Sequence, residues 1–239
     1  MPDKILCSFE RYEKKYLITP EQQARILLAA RPYMKEDEYG RYSICNIYYD
    51  TDDFSLIRAS LEKPVYKEKL RVRSYGVPAE GDRVFVEIKK KCGGVVYKRR
   101  VVMSAQDAPG YLAGDAALSP GGQISREIDY FQTFHRTRPQ VYIGYDRTAL
   151  AGRENDALRV TFDTNIRWRE SKLDLRRGDG GMPLLPQDVV LMEIKIPGAM
   201  PLWLCRLLGS MDIFPTSFSK YGECYRKNIL NRRELLYIA

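Results

Sequence analysis

The side chains best able to do chemistry in this chain are basic, and they recur at every second residue. Successive side chains on a strand point to opposite faces. Over 66–75, Lys67, Lys69, Arg71 and Arg73 share one face, opposed by Tyr66, Glu68, Leu70 and Val72. Over 83–91, Arg83, Phe85, Glu87, Lys89 and Lys91 oppose Val84, Val86, Ile88 and Lys90. Lys98 and Arg100 oppose Tyr97, Arg99 and Val101, and Arg159, Thr161 and Asp163 oppose Leu158, Val160 and Phe162. Glu193 and Lys195 oppose Met192, Ile194 and Ile196. Arg11, Glu13 and Lys15 alternate in the first strand, and Arg147 lies in the strand 142–149. With Arg167, these polar faces hold 15 basic residues and four acids, Glu13, Glu87, Asp163 and Glu193.

A single strand of this kind is most simply the solvated face of an antiparallel sheet. The whole set is different, because a solvated face normally mixes signs between cross-strand neighbours. So many like charges on one sheet would be costly without a counter-anion. If the sheet closes into a barrel of about eight strands, the interior has room for side chains or one small ligand. A lumen lined with Arg and Lys suits a linear polyanion, since Arg offers forked donors to phosphate oxygens and Lys a compact charge. The few carboxylates can balance charge or hold a hard divalent ion that bridges to phosphate. Glu193, and then Glu13 and Glu87, are the candidate ligands for magnesium or manganese.

These faces need strands at Leu6 to Leu17, Tyr42 to Tyr49, Tyr66 to Tyr75, Arg83 to Lys91, Val95 to Met103, Val141 to Ala149, Leu158 to Arg167 and Val189 to Ile196. Gly76, Pro78, Gly81 and the Gly93-Gly94 pair suit antiparallel hairpins between the middle three. Thr19, Pro20 and Gln22 predict a capped helix with Ile26, Leu27 and Ala30 on its apolar face. Asp52 or Asp53 is expected to cap a short helix ending at Leu61. Ile124 to Arg138 reads as a helix burying Ile128, Phe131 and Phe134, and Pro201 to Met211 and Tyr221 to Leu230 as two more. No repeat or linker divides the chain, so one domain over 1–239 is expected.

Composition excludes several classes. The 39 Lys and Arg against 31 Asp and Glu give +8 over 239 residues, a globular balance. No run of about 18 apolar residues is present, and the start lacks the apolar region of a signal peptide, so a cytoplasmic chain is expected. The five cysteines, Cys7, Cys45, Cys92, Cys205 and Cys224, form no CxxC and read as free thiols. The one histidine, His135, rules out a His-rich metal site. Neither GxxxxGK[ST] nor GxGxxG occurs, so phosphate would not be held by a P-loop.

The segments RYEKKYLI (11–18), IYYDT (47–51), KLRVRSYG (69–76), VFVEIKKK (84–91), YKRRV (97–101), GYDRTAL (144–150), LRVTFDTNIR (158–167), MEIKIPG (192–198) and FSKYGECY (218–225) follow in order along nearly the whole chain. As an ordered set they resemble the VTC domain, the polyphosphate polymerase domain of the CYTH, or triphosphate tunnel metalloenzyme, superfamily. The resemblance implies an α+β fold, an antiparallel closed β-barrel with helices packed outside. It implies that Lys15, Arg71, Arg73, Lys89, Lys98, Arg100, Arg147, Arg159 and Lys220 grip phosphates, with Ser219 beside Lys220. Lys195 joins them from the alternation alone. Glu193 resembles the family's metal-binding glutamate.

Hydrolytic members of the superfamily typically carry ExExK on the first strand, whereas this chain has Arg11-x-Glu13-x-Lys15. Fewer glutamates and more cations favour transfer to a long phosphate chain over hydrolysis. The expected activity is transfer of the terminal phosphoryl group of ATP to polyphosphate with Mn or Mg. Arg71, Arg73, Arg147, Arg159 and Glu193 would be the catalytic set. A tunnel triphosphatase and a non-catalytic polyphosphate-binding module are the alternatives. A third is RNA binding, motivated by 17 tyrosines and eight phenylalanines. Against it, the tyrosines of the charged strands sit mostly on apolar faces. The expected partners are ATP, triphosphate or polyphosphate rather than nucleic acid, and a membrane partner is compatible with the sequence.

Overall fold

The structure, a computed structural model, describes residues 11–93 and 95–231. The expected strand residues 6–10, Cys7 and Gly94 lie outside them. The elements are β1 (Arg11–Ile18), α1 (Pro20–Ala30), β2 (Met34–Asp50), α2 (Ser55–Leu61), β3 (Tyr66–Tyr75), β4 (Arg83–Cys92), β5 (Val95–Ser104), α3 (Asp107–Leu112), α4 (Gly122–His135), β6 (Arg138–Gly152), β7 (Arg159–Arg169), β8 (Met182–Pro183), β9 (Val190–Pro197), α5 (Leu202–Gly209) and α6 (Lys220–Cys224). A π-helical turn, Tyr225–Leu230, follows α6.

Hydrogen bonding runs in the order β1-β9-β7-β6-β2-β3-β4-β5, with β8 on β7. That is nine strands rather than eight, because the pair Met182–Pro183 adds a short one. The path has two ends, β1 and β5, with no ladder joining them among the described residues. The described residues form two compact units, one of 11–42, 146–165 and 185–218, the other of 43–145, 166–184 and 219–231.

In the first unit, β9 pairs antiparallel with β1 and β7. The apolar faces of these strands, with Tyr16, Ile18, Val160, Phe162, Met192 and Ile194, pack on Ile26 and Ala30 of α1 and Leu204 and Leu208 of α5. Helix α1 starts as its sequence dictates. The Thr19 hydroxyl accepts from Gln22 N at 3.2 Å, and Gln22 Oε1 accepts from Thr19 N at 2.9 Å.

In the second unit, β2, β3, β4 and β5 pair antiparallel in sequence order. Leu70, Val72, Val84, Val86 and Ile88 form its core with Tyr111 of α3 and Ile128 and Phe131 of α4. Gly93, at φ +54, turns β4 into β5, a conformation costly for a residue with a Cβ. Phe134 is 68% exposed, contrary to expectation. At 3.6 residues per turn it lies about 120° around the helix from Ile128.

The cap of α2 also differs. Phe54, in the left-handed region, stands at the N-cap position rather than Asp52 or Asp53. The free N–H groups are met from further upstream. Asp50 accepts from Leu56 N and Ile57 N, each at 3.0 Å, and the Thr51 hydroxyl accepts from Ser55 N at 2.8 Å. Asp50 is fully buried under the start of the helix, whereas Asp52 and Asp53 are exposed.

Candidate phosphate-binding site

In the second unit, strand register stacks the predicted residues in rows. Tyr48 lies opposite Arg71, Arg71 opposite Glu87, and Glu87 opposite Arg100. Asn46 lies opposite Arg73, and Lys69, Lys89 and Lys98 form a neighbouring row. Three cations converge on Glu87, which is 1% exposed. Arg71 places Nη2 2.7 Å and Nε 2.8 Å from Oε2, Lys98 places Nζ 2.8 Å from Oε1, and Arg73 Nε is 3.9 Å from Oε2.

Neighbouring polar groups hold the arginines in place. Arg73 Nε donates to Asn46 Oδ1 at 2.9 Å and Nη2 to the Tyr145 hydroxyl at 3.3 Å. The Asn46 amide donates to Ile143 O at 2.9 Å, which sets its orientation. Arg71 Nη1 donates to the Tyr48 hydroxyl at 3.2 Å, and Arg100 lies over the Phe85 ring. Lys220 Nζ sits 4.4 Å from the Tyr145 ring centroid. Lys69 donates to Ser219 Oγ at 3.3 Å, and that oxygen also accepts from Gly222 N at the start of α6. Tyr221 donates to Asp50 Oδ2 at 2.9 Å, which ties the start of α6 to the end of β2.

Burial pushes the Glu87 carboxyl up, but Arg71, Arg73 and Lys98 together outweigh it and hold it down at about 2. Burial pulls the Lys98 amine down. Glu87 opposes this, Arg71 and Arg73 reinforce it, and the result is about 8. The two shifts agree physically: Glu87 faces three cations, whereas Lys98 faces one carboxylate and two arginines. Lys67 shows the same crowding, lowered first by burial and then by Lys91 and Lys89.

In the first unit, Lys15 lies opposite Glu193, which lies opposite Thr161, and Glu13 lies opposite Lys195, which lies opposite Arg159. Lys15 Nζ is 3.4 Å from Glu13 Oε1 and 3.6 Å from Glu193 Oε1, and it donates to Phe218 O at 3.0 Å. Arg147 forms a fork with the fully buried Asp163, Nε to Oδ1 at 2.6 Å and Nη2 to Oδ2 at 2.7 Å. Its Nη2 is also 3.6 Å from Glu193 Oε2. Lys195 is lowered by burial, then raised by Glu13 and Glu193 and lowered again by Arg147 and Arg159, with a net fall. Arg159 pairs with Asp37 at 3.0 Å.

The predicted residues thus gather within each unit: Arg71, Arg73, Lys98, Arg100, Glu87, Lys69, Lys89, Ser219 and Lys220 in one, and Lys15, Glu13, Glu193, Arg147, Arg159 and Lys195 in the other. Arg167 serves elsewhere, pairing with Asp179 at 2.7 Å. Asn46, Tyr48, Tyr145, Asp163 and Asp50 hold the cations or their elements, and no role was expected of them. Asn46 and Tyr48 carried a signal, because they are polar at period two and alternate with Cys45, Ile47 and Tyr49. Tyr145 carried another, two residues before Arg147.

Among the described residues, no group of three or more His, Cys, Asp or Glu could hold a metal. Glu13 and Glu193 are diagonal neighbours on one face of the β1–β9 ladder, both beside Lys15. Two carboxylates fit magnesium or manganese where phosphate supplies further oxygens, as is common for these ions. Glu87 fits less well, since cations approach both its oxygens.

A family model described as the VTC domain matches residues 10–229. Among curated proteins, vacuolar transporter chaperone complex subunit 4 of Trypanosoma brucei brucei (strain 927/4 GUTat10.1) is 25% identical over 222 residues, 75% of this chain and 28% of that protein. The subunit of the same name from Schizosaccharomyces pombe is 24% identical, over 90% of this chain and 37% of that protein. The chain therefore spans between about a quarter and two fifths of the length of these relatives. Among solved structures, a Hippeastrum adenylyl cyclase candidate described as having a dominant triphosphatase activity gives a TM-score of 0.49 at 14% identity, covering 90% of this chain and 94% of that one. An adenylate cyclase candidate from Vibrio parahaemolyticus gives 0.48 at 10% identity, covering 90% and 97%.

Proposed function

Because the chain belongs to the VTC domain family, we propose that it transfers the terminal phosphoryl group of ATP to a phosphate or polyphosphate acceptor and releases ADP. The observation that carries this is the convergence of Arg71, Arg73 and Lys98 on the single carboxylate of Glu87. One carboxylate balances one of three charges, and a phosphate chain would balance the rest.

Phosphoryl transfer asks little covalent chemistry of a protein; it asks for alignment and charge neutralisation. Arg71 and Arg73 are fixed before any ligand arrives, by Glu87, Tyr48, Asn46 and Tyr145, so their donors are pre-organised for phosphoryl oxygens. Asp163 does the same for Arg147 by setting the plane of its guanidinium. Lys15, Lys195 and Arg159 would add positive charge on the first unit's polar face, and Lys89, Arg100, Ser219 and Lys220 further phosphate contacts on the second's. Glu193 and Glu13 would hold the Mn or Mg ion, which would neutralise charge on the phosphate oxygens. We assign Glu87 to charge balance.

We include in this proposal the closure of the strand path into a tunnel. We also include partner subunits, since the relatives are named as members of a complex. No helix of the described residues is long and apolar enough to cross a membrane, and we place the activity in the cytoplasm.

Purified protein given ATP, Mn and a short polyphosphate primer should lengthen the primer and release one ADP per phosphate added. Phosphate release without chain growth would favour the triphosphatase, and tight binding without turnover the binding module. The position of Lys98 gives a pH dependence. A polyanion binds its protonated form, so triphosphate affinity should fall as pH rises through about 8. Lys98→Arg, which stays charged, should flatten that fall in titration calorimetry.

A further inference from the structure

Tyr48 is not among the residues assigned to phosphate above, yet its surroundings single it out. It is 7% exposed, and its hydroxyl oxygen accepts from Arg71 Nη1. The charges around it are Arg71 and Arg73 from β3 and Lys220 from α6. Guanidinium and ammonium groups donate and cannot accept. The phenol's own O–H therefore faces a setting rich in donors, where an incoming anion is the natural acceptor. The uncharged neighbour, Tyr221, stacks on the Tyr48 ring with centroids 4.7 Å apart, and its hydroxyl is directed to Asp50. Glu87, on the far side of Arg71, is engaged by Arg71, Arg73 and Lys98.

We infer that Tyr48 is a substrate-binding residue whose O–H donates to a non-bridging phosphoryl oxygen of the chain held by Arg71 and Arg73. This rests on the phosphate-transfer function proposed above. The stacked Tyr221, anchored by Asp50, holds the ring in place, so little side-chain freedom is lost when phosphate binds. Hydrogen bonds to a charged partner are stronger than neutral ones. Titration supports the assignment. Burial pushes the phenol up, but Arg71, Arg73 and Lys220 outweigh it and bring it below its ordinary value. An ionised Tyr48 could not donate and would repel phosphate, so bound phosphate should keep the phenol neutral.

The test measures triphosphate affinity by calorimetry and tyrosinate absorbance against pH, on wild type and Tyr48→Phe. The variant should bind triphosphate about tenfold more weakly or worse while its melting temperature stays close to wild type, because ring and stack remain. In wild type, one tyrosine should ionise before the others, and triphosphate should move that step to higher pH; in the variant the step should be missing. Equal affinity in the two proteins, or a wild-type step that triphosphate does not move, would overturn the inference. The second measurement needs no variant, so a poorly folded Tyr48→Phe would not shield it. A wild type that binds no triphosphate would overturn the proposed function itself.

Discussion

Glu87→Gln is expected to destabilise the protein by roughly 3–5 kcal/mol, the usual cost of removing one partner from a buried ionic cluster. The glutamine keeps the shape and removes the carboxylate that pairs with Arg71, Arg73 and Lys98. Lys98 can relieve part of the strain by losing its proton, but the arginines cannot. Denaturant unfolding at neutral pH checks the size of the effect. Its pH dependence checks the cause. The folded carboxyl is held at about 2, below its ordinary 4.5. Its stabilisation is therefore complete above about 4.5 and is lost as pH falls from there toward about 2. The gap between wild type and Glu87→Gln should close across that window. A gap that persists unchanged to the bottom of it would mean that the carboxylate's charge is not what matters. Sodium triphosphate should narrow the gap at neutral pH, since phosphate can replace the missing negative charge.

Glu193→Ala has the larger expected effect on activity. Polyphosphate synthesis should fall by on the order of 10²–10³-fold, the scale for losing one pre-organised electrostatic group. Glu193 bridges the first unit's cations, lying 3.6 Å from both Lys15 and Arg147. Each keeps a second carboxylate in the variant, Glu13 for Lys15 and Asp163 for Arg147. The fold should therefore survive, which a circular dichroism melt would show. Glu193→Asp should retain activity at raised Mn, because it shortens a ligand without removing it. Full activity of Glu193→Ala at low Mn would remove this residue from the metal site.

Much of this arrangement was legible in the sequence because period-two alternation is enforced by strand geometry. The faces assigned to Lys67–Arg73, Glu87 and Lys98 follow from parity alone, and the ladders confirm it. The capping box of α1 was legible for the same reason, since Thr19 and Gln22 act over three residues. What lay beyond reach was pairing between distant segments. Asp50 reaches forward over six and seven residues to cap α2 and across 171 to hold Tyr221. Asp163 could be placed on a polar face, yet nothing in its own strand says that Arg147 would grip it. Phe134 illustrates a different failure. It is apolar and three residues past a buried position, but helix drift carries it round to solvent.

The central claim is that these cationic faces hold a phosphate chain, and a crystal structure with triphosphate and Mn bound tests it most directly. The account predicts phosphoryl oxygens within hydrogen-bonding distance of Arg71, Arg73 and Lys98, and Mn on Glu193. Triphosphate bound away from every one of these residues, with Glu193 bare of metal, would contradict it.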